Sequence, residues 1–222
     1  MFDKLPILAI ETSQIYCGAC VYFDEQKHFE LSINQRNSHA EKIFEIIDKV
    51  IITSGIQLSD LKAISVSAGP GSFTGLRIGM SAAKGIATGL GIPIIPVPTF
   101  EALAFQLSNQ LCDGTNFIIA NKVNSEEIYF AKFQVKANNY IFTQHLQIVT
   151  LDDVVNLTNN CLIFGNADFK NVSTDLIHEV TSPKPEFVAK WAHYFGFQKI
   201  IYDFESLEPN YLKEFIIRDK SK

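Results

Sequence analysis

Apolar residues recur along the chain with two periods, and the places where one gives way to the other divide it into elements. Residues 7–11 (ILAIE) form a short apolar run ending in a carboxylate and the hydroxyls Thr12 and Ser13. Residues 17–23 alternate and residues 29–33 can pair beside them, which predicts an antiparallel meander of three strands. The period then changes. Ile43, Ile46, Ile47, Val50 and Ile51 share one helical face, Ser38 and Glu41 have capping-box spacing, and Gly55 stands just past the end of a helix over 38–53. A strand over 63–68 leads through a glycine-rich loop into a helix rich in Ala and Gly that runs to Leu90, with Thr74 placed to cap it. A strand broken by prolines (92–97) and a helix over 99–111, capped by Thr99, complete the round. A second round follows, with strands over 116–120, 128–135 and 140–148, a short helix over 151–157, a strand over 161–164 and a helix over 185–197 that carries the single Trp191.

A meander followed by strand–helix crossovers is the layout of one ribonuclease-H-like half of an actin/Hsp70-type fold, whereas a plain βαβ repeat has no opening meander. The expected fold is therefore α/β, with two lobes, each built on a mixed sheet that opens with a three-stranded meander. The expected division is 1–109 and a smaller 110–222, at the turn Cys112–Thr115, with the last helix free to pack back on the first lobe. No low-complexity linker intervenes, so the lobes should pack as one unit.

Composition narrows the class. At 222 residues and 47% hydrophobic content the chain can bury a sizeable core, and its net charge of -5 makes it a poor binder of nucleic acid by itself. No apolar run is long enough to span a membrane, and the charged start runs directly into a strand, so a cytoplasmic protein without a secretory signal is expected. Cys17 and Cys20 form a C-x-x-C with no second pair to close a zinc site, which favours buried, inert thiols.

Candidate chemistry concentrates in two places. The loop 69–79 (GPGSFTGLRIG) joins a strand to a helix N-terminus, and Gly69, Gly71, Ser72 and Thr74 could cradle an anion there. It lacks the Gly-Lys-Ser/Thr of a Walker loop and the acidic partner of a dinucleotide fingerprint, so tight packing of helix on sheet is the stronger reading. Glu11, Thr12 and Ser13 sit where actin-like ATPases place a metal-coordinating carboxylate and phosphate-binding hydroxyls; the alternative is a strand end bonded into its own turn. Arg77 is oddly placed near a helix N-terminus, where the dipole favours anions, and can either bridge to Glu11 or reach a partner. Of His28, His39, His145, His178 and His193, no two have i, i+4 spacing, and His39 at a helix start suits capping or packing better than catalysis.

The sequence is also similar to the TsaB (YeaZ-type) family. Residues 69–79 carry the resemblance most specifically. ILAIETS resembles the family's LAIDTS with Glu11 for Asp, residues 36–41 resemble its HSE helix start with Ala40 in the pattern, and residues 84–87 and 98–104 resemble its KGLA and STLEALA segments. Residues 208–213 resemble the terminal P-x-Y-L-R, with Lys213 for Arg, while residues 121–129 match loosely, with Asn121 replacing an acidic residue.

The resemblance implies a non-catalytic subunit of the machinery that forms threonylcarbamoyladenosine in tRNA. It implies direct pairing with the transferase TsaD, a complex that includes the ATPase TsaE, indirect contact with tRNA, and a homodimer when alone. It also implies no tightly bound cofactor and no metal, with ATP or ADP only at a partner or subunit interface. TsaD holds a metal through H-x-x-x-H, and the corresponding positions here are Thr99 and Leu103, so no catalytic residue is expected. Partner contacts are expected from the outer faces of the helices 38–53 and 75–90, through His39, Phe44, Ile47, Arg77, Met80, Ala83 and Ala87. The rival readings are an ATPase or kinase of the same superfold, a TsaD-directed protease (for which Ser72 has no identifiable base), and a purely structural homodimer.

Overall fold

Three antiparallel strands open the chain in the computed structural model, which describes residues 5–34, 39–154, 161–169 and 172–212. They are β1 (Ile7–Glu11), β2 (Tyr16–Tyr22) and β3 (His28–Asn34), with Ile10 opposite Ala19 and Ala19 opposite Leu31. Helix α1 (His39–Ser54) crosses to β4 (Ala63–Gly69), parallel to β1, and α2 (Phe73–Leu90) crosses to β5 (Ile94–Pro98), parallel to β4. The resulting order is β3-β2-β1-β4-β5. Successive strand residues point to opposite faces, and both faces of this sheet are covered. Leu8 and Ile10 pack with Ile43, Ile47, Met80 and Ala83 of α1 and α2. Ile7 and Ala9 pack with a helix on the other side. A strand buried on both faces reads as a continuous apolar run, which explains ILAIE. Cys17 and Cys20, three positions apart, fall in different clusters, both free and buried. Burial lifts the Cys17 thiol to about 11 and raises that of Cys20 further, so both stay protonated at neutral pH.

The second sheet repeats the plan. Strands β6 (Asn116–Lys122), β7 (Glu127–Lys136) and β8 (Asn139–Thr150) are antiparallel; after the short α4 (Leu151–Val154), β9 (Leu162–Gly165) and β10 (Ile177–His178) add parallel to β6. The order is β10-β9-β6-β7-β8. Between the sheets lies α3 (Thr99–Ser108), which is apolar on several sides because it has two sheets to cover. Ala102 and Phe105 join the first lobe's cluster, while Phe100, Leu103, Ala104 and Leu107 pack on Phe117, Ile119 and Phe133. Helix α5 (Pro185–Phe195) crosses back to the first sheet and lays Val188, Ala189, Trp191 and Ala192 against Ile7, Ala9, Cys20 and Tyr22. Gly18 permits this approach: a Cβ there would sit 2.8 Å from Pro185 Cγ. After α5 the chain stays on the first lobe. Ile201 pairs with Ile94, Leu207 enters the core, and the Asn210 N–H donates to the Ala68 carbonyl at 2.7 Å.

Several helix boundaries differ from those expected. Helix α2 begins at Phe73, and Ser72, not Thr74, caps it by accepting the Gly75 N–H. Helix α3 ends at Ser108, and Thr99 is not its cap. The Thr99 hydroxyl instead accepts the Gly69 N–H at 3.1 Å, tying α3 to the end of β4. Gly55 has φ 74 just past α1, the left-handed turn expected there. The Ser38 cap lies outside the described residues.

Candidate partner-docking face and interlobe cleft

The glycine loop is folded against the end of β1. The Ser72 N–H donates to the Ser13 carbonyl at 2.7 Å, and the Thr12 hydroxyl donates to the Gly75 carbonyl at 2.8 Å. A Cβ on Gly71 would meet the Ser13 carbonyl at 2.5 Å, and Cβ atoms on Gly75 or Gly79 would collide with Thr12. These glycines are therefore required by the seating of α2 on the strand end.

Glu11 is completely buried, and its carboxyl is occupied from within. It accepts the Ser13 N–H at 2.6 Å and the Ser13 hydroxyl at 2.5 Å on one oxygen, and the Ser67 hydroxyl on the other. Burial pushes its pKa up to about 7, the hydrogen bonds from Ser13 and Ser67 acting in the opposite direction. The carboxylate and hydroxyls that an actin-like ATPase would turn toward a metal and phosphates are thus engaged within the protein here, Ser13 by Glu11 and Thr12 by the Gly75 carbonyl.

The metal that TsaD holds through its H-x-x-x-H pair does not fit the residues at the corresponding positions here. At the two positions stand Thr99, whose hydroxyl is engaged by Gly69, and Leu103, which is fully buried in the core. Among the described residues, no group of three His, Cys, Asp or Glu side chains could hold a metal ion. His39 is structural: its Nε2 donates toward the carbonyls of Gln14 and Tyr16, at 3.0 and 3.2 Å, and pins the start of α1 to the β1–β2 turn. Ser72 is engaged as the α2 cap.

The expected partner face needs correction. Ile47, Met80, Ala83 and Ala87 point into the first lobe's core, with 2%, 3%, 0% and 0% exposure, because their helical face is the one that covers the sheet. Phe44 and Arg77 are exposed on the opposite face. Between α1 and α2 this face holds a groove of about 450 Å³ lined by Phe44, Phe73, Arg77, Ile78, Ser81 and Ala82. Phe44 is 54% exposed at its edge, and Ile52 is 77% exposed further along α1. Arg77 does not bridge to Glu11. Its guanidinium stacks 3.8 Å above the Phe73 ring, and its Nε–H donates to the Tyr211 hydroxyl at 3.1 Å. Phe73 was missed because the expected helix began two residues late, and Ser81 and Ala82 because the sequence left the rotation of the helix open.

A larger cleft of about 890 Å³ lies between the lobes, lined by Gln14, Ser72 and Thr74 on one side and by Lys122, Asn166 and Asp168 on the other. The second set was not foreseen; only Gly165, at φ 141 and pressed against the Ala120 carbonyl, marks the turn that presents it. Asn121 is buried beside it and donates to the Thr181 carbonyl at 2.7 Å; its Oδ1 has no partner among the described residues.

A family model described as "TsaD: tRNA N6-adenosine threonylcarbamoyltransferase" matches residues 31–141, half of the chain. The tRNA threonylcarbamoyladenosine biosynthesis proteins TsaB of Haemophilus influenzae and Escherichia coli are 33% and 32% identical to it over 130 and 151 residues. The chain belongs to the TsaB (YeaZ-type) family. Those matches cover 59% and 67% of this chain and 54% and 64% of the relatives, so the match spans less than two thirds of their length. A solved Pseudomonas aeruginosa structure described as similar to peptidase YeaZ superimposes with a TM-score of 0.78 at 20% identity, covering 94% of this chain and 99% of that one. The shared fold is the actin/Hsp70-like one, with two mixed five-stranded sheets. No helix among the described residues is long and apolar enough to cross a membrane.

Proposed function

We propose that this chain is a non-catalytic, cytoplasmic subunit of the machinery that forms N6-threonylcarbamoyladenosine in tRNA, and that its α1–α2 face docks a TsaD-type transferase. The observation that carries this reading is the groove beside the exposed Phe44, on the side of the helices turned away from their own sheet. A helix pair laid across it could approach the roughly 1,600 Å² of a standard interface. The internal engagement of Glu11, Thr12, Ser13 and Thr99 supports a subunit that supplies shape rather than chemistry. In this reading TsaE joins the complex, tRNA is contacted through the partner, ATP or ADP is held at a partner or subunit interface, and the same face pairs two copies when TsaD is absent.

Size-exclusion chromatography with light scattering, on this chain mixed with the TsaD of its own organism, tests it. A heteromeric peak is expected, and Phe44→Asp should abolish it while leaving the circular dichroism spectrum unchanged. Two unshifted peaks for the unaltered proteins would overturn the reading. The interlobe cleft supports a second reading, an ATPase of the same superfold, which predicts that ATP with Mg²⁺ raises the melting temperature of the isolated chain.

A further inference from the structure

The segment 207–212 has no part in the function proposed above, although it carries one of the sequence's specific motifs. In the structure its end reaches the edge of the α1–α2 groove, where Tyr211 touches the lining residues Phe73 and Arg77. Leu207 anchors it in the first lobe's core, and the Asn210 N–H to Ala68 carbonyl bond fixes its backbone at the end of β4. Gly69 leaves room for it, since a Cβ there would lie 2.7 Å from the Asn210 carbonyl. Tyr211 then packs on Phe73, ring centroids 5.0 Å apart, and its hydroxyl accepts the Arg77 Nε–H.

We propose that Tyr211 positions the Arg77 guanidinium as a preformed anchor for a carboxylate on the docked partner. This rests on the docking reading of the same face. With the Phe73 ring beneath it and Nε engaged, Arg77 keeps one orientation. Its terminal N–H groups make no ion pair with any described carboxylate. The neighbouring cations of α1 are already engaged: Lys42 and Lys49 both bind Glu45 at 2.7 Å. The groove therefore offers an apolar floor with an oriented guanidinium at its edge. The complementary surface is an apolar helix face carrying Asp or Glu, placed for the paired hydrogen bonds that a planar guanidinium makes best. Holding the side chain in advance removes part of the ordering cost of that contact. The occupant is the TsaD-type partner of the function proposed above, and pairing with a second copy is an outcome of the test below.

Binding of the full chain to that partner, measured by titration calorimetry at 50 and 300 mM salt, tests the proposal. Arg77→Gln should weaken binding about tenfold at low salt and flatten the salt dependence. Arg77→Lys should not restore affinity, because a lysine cannot make the forked contact. Tyr211→Phe keeps the ring on Phe73 but loses the hydroxyl; it should weaken binding about three- to fivefold, a loss absent in an Arg77→Gln background. That coupling separates positioning from a general loss of stability, which would persist in both backgrounds. If Phe44→Asp abolishes binding while Arg77→Gln changes neither affinity nor salt dependence, the anchor is overturned and the docking face stands. If Phe44→Asp binds normally, the docking reading itself falls. If Arg77→Gln weakens only self-association, the carboxylate belongs to a second copy and the proposed partner is wrong.

Discussion

Burial holds the Glu11 carboxyl at about 7 although Ser13 and Ser67 donate to it, so near neutral pH the folded chain keeps a proton that an exposed glutamate has released. A folded-state pKa above the ordinary 4.5 means that this group's contribution to stability is complete below about pH 4.5 and declines as the pH rises through about 7. A shift of this size corresponds to roughly 3 kcal/mol. Urea unfolding at pH 5 and pH 8 should therefore show the unaltered chain less stable at the higher pH, and Glu11→Gln should remove most of that difference. Equal slopes in the two proteins would mean that Glu11 ionises normally. The sequence located this residue, its neighbours Thr12 and Ser13, and the choice between a nucleotide-binding and a self-bonded strand end. It could not make the choice, because Ser67 is 56 positions away and reaches Glu11 only when β4 lies beside β1. The sequence leaves Arg77 between Glu11 and a partner for a similar reason: its bond to Tyr211, 134 positions later, forms only in the folded chain and takes the place of the bridge to Glu11.

Helix α2 shows what separates one glycine from another within an element. Gly79 faces Thr12 so closely that a Cβ would collide with its hydroxyl, whereas a Cβ on Gly89 would meet nothing within 4 Å. Gly79→Ala should lower stability by more than about 1 kcal/mol as the helix is pushed off the strand end. Gly89→Ala should raise it by about 0.5–1 kcal/mol through helix propensity alone. Thermal unfolding of the two variants checks both signs, and equal effects would remove the distinction. Element types and order were legible because the apolar spacing switches between strand and helix periods. Helix starts were less so: the periodic pattern of α2 emerges only after its capped first turn, and Ser72 and Thr74 are both plausible caps until the backbone is traced. The same uncertainty in rotation put Ile47, Met80, Ala83 and Ala87 on the outer face, although the sheet takes them.

For the whole molecule, α5 is the piece that joins the lobes. Trp191 packs on the first sheet, and its indole N–H donates to the Tyr140 hydroxyl of β8 at 3.0 Å, which in turn donates to Glu101 of α3 at 2.7 Å. Trp191→Ala should cost about 3–5 kcal/mol and should lower a single unfolding transition seen alike by near- and far-ultraviolet circular dichroism. Two separated transitions in the unaltered chain would show that the lobes unfold independently. From the sequence alone came the local facts: which stretches are strands or helices, that the second round repeats the first, and that the loop 69–79 suits tight packing of helix on sheet better than an anion site. These are written in short-range spacing and in residue size, which a linear pattern preserves. The tertiary structure decided which face of α1 and α2 is free, that Glu11 bonds inward, and that α5 and the segment after it return to the first lobe. Each of those depends on contacts between residues far apart in the chain, and no local period encodes which distant surface a helix will cover.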